Sequence, residues 1–340
     1  MLKHAEHIHI EEEIETQVPE REGIELVISQ MDGSMVPIVE TSGEGDRRRS
    51  RKVCWKEAKL ALARRQGAVE GKYGGTIGNS EEAGDQLANS VIGVGAGTNT
   101  KIHCVGDGAP WIVEQVERVF AMQANYLIDF YHLCEYISAA ADKCAPDNKT
   151  KWIEQQKERM KRNRSVEVLK ELEPHLEPDI KKEAPVRACY RYIKNRPGQF
   201  NYAAAIASDL PIGSGEIESA HRYVIQKRLK IPGAWWKIEN AKYMLSLRVL
   251  RANNDWDDYW NNLWSEKLTS SCHHFVKTRK WQYPKCKAIH DRDMNASINI
   301  CRIGASTLGT GEVRPAILSA NRQAHRQVQA SPLKARIPRL

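Results

Sequence analysis

The sequence predicts an α/β layer fold with parallel strands. Three observations carry this. Short apolar runs alternate with segments of helical periodicity between Lys101 and Cys144. The apolar runs end in Asp or Gly, and a chain of 340 residues is long enough to bury a sizeable core.

The elements follow in order. Ile24 to Met31 reads as a strand running into Asp32-Gly33, and Met35 to Val39 resumes the apolar run, so the pair predicts a hairpin or two adjacent strands. A basic stretch (Arg47, Arg48, Arg49, Arg51, Lys52) precedes a third strand over Val53 to Ala63. The Gly-rich piece Gly71 to Gly78 predicts a loop, and Ser80 with Glu81 and Glu82 predicts a capped helix to Val91. Lys101 to Val105 is a strand ending in Gly106-Asp107-Gly108, and Trp111 to Ala121 has helical spacing. Tyr126 to Ile128 is a strand ending at Asp129, and His132 to Cys144 is an amphipathic helix. Residues 148–194 are Lys, Glu, Arg and Leu with helical periodicity and no strand signal, a helical insertion. A second helical block runs from Glu216 to about Leu250, and Trp256, Trp260 and Trp264 then share one helix face.

Charge is concentrated at one end. The formal net charge is +8, yet residues 266–340 carry 14 Lys and Arg against 4 Asp and Glu, so the body is near neutral and the tail strongly basic. Such a tail reads as a nucleic-acid contact or as a solvated appendage. No run of about 20 apolar residues is present, which excludes a membrane-spanning helix. The first 20 residues lack the basic and apolar regions of a signal peptide, so a protein that stays inside the cell is expected. Eight cysteines scattered singly read as reduced thiols.

Two carboxylates share one context: Asp32 followed by Gly33, and Asp107 followed by Gly108, each at the end of an apolar run. Alone, each Asp-Gly reads as a turn. Together with a third acid they form a candidate divalent-cation site. That acid lies in Gly213-Ser214-Gly215-Glu216-Ile217-Glu218, where Ser214 is expected to cap a helix whose N-terminal dipole favours both glutamates. Lys227, Arg228 and Lys230 follow at helical distance, suited to phosphate.

The ordered series Asp32-Gly33, Gly106-Asp107-Gly108-Ala109-Pro110-Trp111, Asp129-Phe130-Tyr131-His132, Gly213 to Glu218 and Lys227-Arg228-Leu229-Lys230 resembles the Mutator-like DDE transposases of bacterial insertion sequences. The resemblance covers about residues 3–264. It implies an RNase H-like fold (a mixed sheet flanked by helices) with a helical insertion at about 148–194. It makes Asp32, Asp107 and Glu218, not Glu216, the catalytic acids. Asp129, His132, Lys227 and Arg228 support them. The chemistry implied is DNA cleavage and strand transfer with two Mg2+ or Mn2+ ions roughly 3.5 to 4 Å apart. The partners implied are element-end and target DNA and other copies of the chain, in a cytoplasmic, nucleoid-associated setting. The strand bearing Asp32 begins near residue 24, leaving residues 1–22 as a short segment where such transposases carry a DNA-binding region, so an N-terminally truncated copy is expected.

The tail, residues 265–340, has another likeness. Cys272-His273-His274, Trp281 to Cys286 and Asp291-Arg292-Asp293-Met294-Asn295-Ala296-Ser297-Ile298-Asn299-Ile300 resemble the end of TnpB-type RNA-guided nucleases. Phe275 and Tyr283 stand where two zinc ligands are expected, so Zn2+ requires Cys272, His274 (or His273), Cys286 and His290 to act together. Asp293 matches that family's last acid, and its upstream partners are not evident. The competing readings are a catalytically inactive nucleic-acid-binding remnant and an RNA-guided nuclease fragment.

Overall fold

A computed structural model describes residues 15–41, 51–178, 183–262, 280–282 and 289–291. The chain divides into two compact units, residues 1–259 and 260–340.

The first unit is built on a mixed five-stranded sheet: β1 (Leu26–Thr41), β2 (Arg51–Arg65), β3 (Gly71–Thr76), β4 (Lys101–Gly106) and β5 (Ala124–Ile128), in the order β3-β2-β1-β4-β5. The first three strands form an antiparallel meander, and β4 and β5 lie parallel to β1. The sheet is thus mixed and flanked by helices, as expected: the parallel strands read from the alternation are β4 and β5 beside β1, while β1 to β3 are joined without crossover helices and run antiparallel.

Asp32-Gly33 is not a turn. Strand β1 passes straight through it, with Asp32 opposite Leu60 and Gly33 opposite Lys59 on β2. The turn preference of Asp-Gly is overridden by a continuous ladder that keeps the backbone groups of both strands paired. Gly33 lies beside the Glu57 side chain, whose carboxylate would be 2.1 Å from a Cβ placed there. Gly71 to Thr76, expected as a loop, is the edge strand β3. Its glycines admit close neighbours: a Cβ on Gly74 would meet the Gln86 carbonyl at 2.7 Å.

Helices α1 (Ser80–Gly93) and α2 (Pro110–Phe120) make the crossovers to β4 and β5. The cap of α1 is Asn79 in a capping box with Glu82, and Ser80 is the first helical residue. Alternation sorts the strands into two faces. Val27, Met31, Ala61, Ala63, Ile102 and Cys104 pack under Leu87, Val91, Ile112 and Val116 of α1 and α2. Val36, Ile38, Leu60 and Leu62 pack on the opposite face.

That opposite face is covered by α8 (Gly215–Ala220), a π-helical turn (His221–Gln226), α9 (Lys227–Leu229) and α10 (Ile238–Ala252). Helices α3 (Phe130–Cys144), α4 (Lys149–Lys161), α5 (Ser165–Leu172), α6 (Pro185–Lys194) and α7 (Tyr202–Ala207) bury a separate cluster around Ile137, Met160, Leu172 and Tyr202. Among the described residues no helix is long and apolar enough to cross a membrane.

In the second unit, β6 (Lys280–Gln282) pairs antiparallel with β7 (Ile289–Asp291), placing Trp281 opposite His290. Cys272, His274, Cys286, Asp293 and Trp264 lie outside the described residues.

Candidate active site

Strands β1 and β4 share their last register position at Gln30 and Val105. Two residues further on stand Asp32, still in β1, and Asp107, the first residue past β4. Residues two apart on a strand share a face, so Asp32 leaves the sheet on the side of Gln30. Its pKa is pushed up to about 6, chiefly by burial, and the neighbouring carboxylates of Asp107 and Glu57 add to the rise. The Gly33 N–H, which donates to Asp32 Oδ1 at 2.7 Å, and the charge of His132 oppose it. The two acids that the sequence places far apart thus act on one another.

The loop carrying Asp107 is braced. Asp107 Oδ1 accepts from the Ala109 N–H at 2.8 Å, and its carbonyl accepts from the Tyr192 hydroxyl at 2.6 Å. Gly108 takes φ +80, and a Cβ there would sit 2.4 Å from Ile128 and 2.7 Å from Arg196, so the position requires glycine twice over. Arg196 donates to the Gly108 carbonyl at 2.9 and 3.1 Å and lies 4.1 Å above the Tyr192 ring. Tyr192 in turn stacks on Tyr136 at 4.2 Å, with the His132 ring 5.8 Å away. The helical insertion therefore contributes directly to holding Asp107.

Asp129 has a different task from that of a metal ligand. It is buried and accepts four hydrogen bonds: Oδ1 from the Tyr131 and His132 N–H groups at 2.6 and 3.0 Å, Oδ2 from the Ser214 N–H at 2.6 Å and from the Ser214 hydroxyl. It caps α3 and ties that cap to the loop before α8. Ser214, expected to cap α8, makes no side-chain cap bond; its hydroxyl is turned to Asp129, to which it donates.

Loop 211–217 is also pinned to the sheet, since the Pro211 carbonyl bonds His103 Nε2 at 2.8 Å and the Ile217 N–H donates to Gln30 Oε1 at 2.9 Å. Helix α8 separates its two glutamates. Glu216 is held in a bidentate pair by Arg64 of β2, at 2.6 and 2.7 Å. Glu218 is exposed and has no ion pair with another described residue. One turn after Glu218 comes His221, which is buried with Nε2 3.6 Å from Asp32 Oδ2 and both ring nitrogens unpartnered. Burial pushes this imidazole down to about 4, and the charge of Lys230 adds to the shift. Lys230 Nζ reaches Ser34 Oγ, two residues beyond Asp32, at 3.2 Å. Lys227 and Arg228 are exposed.

The structure thus brings Asp32, Asp107, His132 and His221 into one region, with Glu218 on α8, one turn before His221. Among the described residues no three His, Cys, Asp or Glu side chains lie close enough together to hold a metal ion. Sequence reading passed over His221, Gln30, Tyr192 and Arg196. The signal for His221 was its spacing of three from Glu218, which places both on one side of a helix.

Comparison with known proteins places the part of this region beyond residue 86 in a family. The family described as uncharacterised protein family UPF0236 matches residues 86–267, which include Asp107, Asp129, His132 and Glu218. Residues 261–300 match a domain described as Cas12f1-like, TNB domain. A UPF0236 protein of Caldanaerobacter subterraneus subsp. tengcongensis is 28% identical over 183 residues, covering 53% of this chain and 37% of its own length. A second from that organism is 27% identical over 183 residues, with 36% of its length covered. The chain spans little more than a third of these relatives' length.

Proposed function

The chain belongs to the UPF0236 family, and we propose that it is a mobile-element protein whose RNase H-like body cuts and joins DNA with the help of a divalent cation. The single observation that supports this most is the pair of Asp32 and Asp107 on adjacent parallel strands, one carboxyl driven up to about 6 beside the other. The rise comes chiefly from burial, with the neighbouring Asp107 adding to it, and hard oxygen donors suit Mg2+ or Mn2+. Asp32 and Asp107 would supply carboxylate oxygens to such an ion. Glu218 is the remaining acid of the proposed set, and it is free of the Arg64 pairing that occupies Glu216.

When bound, a divalent cation supplies a Lewis acid that activates water or a 3′-hydroxyl and neutralises the leaving oxygen of a phosphodiester. The chain's own groups do the rest. Asp107 is held in place by Tyr192 through its carbonyl. His221, kept neutral by burial, lies beside Asp32 without adding a competing charge. Lys230, Lys227 and Arg228 offer cations for the phosphate backbone. The partners proposed are element-end and target DNA and further copies of the chain. The tail is proposed as a basic, sequence-independent DNA contact, with Zn2+ held there only if Cys272, His274, Cys286 and His290 act together.

A second reading, a nucleic-acid-binding remnant without catalysis, is favoured by one observation: no three-donor group is assembled among the described residues. Calorimetric titration with Mg2+ and Mn2+, combined with nicking of supercoiled plasmid, separates the two. The catalytic reading expects metal binding and nicking by the native chain and loss of both in Asp107→Asn. Nicking that survives in Asp107→Asn overturns it, and DNA binding with neither metal binding nor nicking supports the remnant.

A further inference from the structure

Of the histidines packed around the sheet, two are engaged. His103 Nε2 bonds the Pro211 carbonyl at 2.8 Å. His132 Nδ1 lies 3.6 Å from the Glu135 carboxylate, and its ring packs edge-on against Tyr136 at 5.5 Å. His221 differs from both, since it is only 3% exposed and neither of its ring nitrogens makes a hydrogen bond. Buried polar atoms are nearly always partnered, because a desolvated and unbonded one costs stability. The group that Nε2 faces is Asp32 Oδ2, at 3.6 Å. That separation is too long for a hydrogen bond.

The spacing suits two donors that share a ligand. Donors each about 2.1 Å from one ion lie roughly 3 to 3.5 Å apart, a distance that a small rotation of the part-exposed Asp32 carboxyl provides. The other acids nearby are already engaged. Glu57, whose charge acts on both Asp32 and His221, is paired with Lys59 at 3.1 Å, and Glu216 is taken by Arg64. The π-helical turn begins at His221, and such turns recur at functional sites. An imidazole nitrogen beside a carboxylate also changes which cation is held. Mg2+ is bound through oxygen, whereas imidazole suits first-row transition ions, among which Mn2+ also accepts carboxylate and water.

We propose that His221 Nε2 and Asp32 Oδ2 are joint donors to one divalent transition ion, so that the site prefers Mn2+ to Mg2+. This rests on the reading of Asp32 and Asp107 as a cation site and names the ion and a further ligand for it. It is tested on the full chain with the metal alone, by calorimetry and by electron spin echo spectroscopy, in which a coordinated imidazole couples its nitrogen nucleus to bound Mn2+. The native chain is expected to show this coupling. His221→Gln is expected to lose it and to bind Mn2+ about tenfold more weakly or worse, with Mg2+ binding changed by less than about threefold. His221→Leu, which fills the buried space without a donor, is the second variant, and melting temperatures report the folding of both. His132→Gln is expected to keep the coupling. Mn2+ binding by the native chain without nitrogen coupling overturns the proposal, whether or not the variants fold, and leaves the carboxylate site standing. Coupling that survives in His221→Gln or His221→Leu overturns it too, by assigning the nitrogen to another histidine. Binding of neither ion by the native chain overturns both this proposal and the reading beneath it.

Discussion

Replacing Asp32 by Asn should make the protein more stable at neutral pH while removing its response to Mg2+. The carboxyl titrates near 6 in the folded chain against an ordinary 3.8, so its ionisation opposes folding. With a raised folded pKa, the stability involved is fully present below about pH 4 and is lost as pH rises through about 6. The shift alone corresponds to at most about 3 kcal/mol at about 1.4 kcal/mol per unit. The side chain is 38% exposed, so solvent screening reduces this to about 1 to 1.5 kcal/mol. For a body of this size that is a rise of about 3 to 6 °C in melting temperature at pH 8, shrinking toward zero near pH 4. Thermal unfolding of both proteins across this pH range measures it. Added Mg2+ should raise the native melting temperature at pH 8, by linkage to the folded state, and leave that of Asp32→Asn unchanged. A variant that is destabilised, or stabilised equally at pH 4 and pH 8, would refute the reasoning, because the cost would then not come from ionisation of Asp32.

Three further outcomes are expected. Asp129→Ala should cost about 2 to 4 kcal/mol in urea unfolding, since four donors lose a buried acceptor. Loss of nicking at unchanged stability would instead make Asp129 part of the chemistry. Glu218→Gln, at an exposed position, should leave stability within about 0.5 kcal/mol and abolish metal-dependent nicking; a fully active Glu218→Gln would remove it from the proposed site. A double-mutant cycle of Arg64→Met and Glu216→Ala should give a coupling of about 1 kcal/mol, modest because Glu216 is 40% exposed. Zero coupling would show that the pair does not hold α8 to β2.

Much of the fold was legible because it rests on local pattern. The periodicity of Trp111 to Ala121 and of His132 to Cys144, and the apolar runs Lys101 to Val105 and Tyr126 to Ile128, mark elements that the structure contains at nearly those limits. Asp32-Gly33 and Gly71 to Gly78 misled for one shared reason. Glycine signals a turn when read alone, yet here it lies within a strand, beside the Glu57 side chain in one case and against Gln86 of α1 in the other. Only the neighbours, distant in sequence, distinguish a strand from a bend.

Local pattern by itself determined which residue types end the parallel strands and which helix carries two glutamates after Ser214. Tertiary structure alone decided how they are used. Asp32 and Asp107 meet through the register of β1 against β4, a hydrogen-bond ladder between segments 75 residues apart. Glu216 and Glu218 were equivalent as dipole partners until Arg64, 152 residues away, took Glu216. Ser214 reads as the cap of α8, yet its side chain is turned to Asp129, 85 residues away, and makes no cap bond. Of the adjacent Trp235 and Trp236, the bridge to Ile38 sends one into the core and leaves the other on the surface. Each choice depends on which partner comes within hydrogen-bond reach and which face is buried. Those are properties of strand register and packing, and no window along the chain contains them.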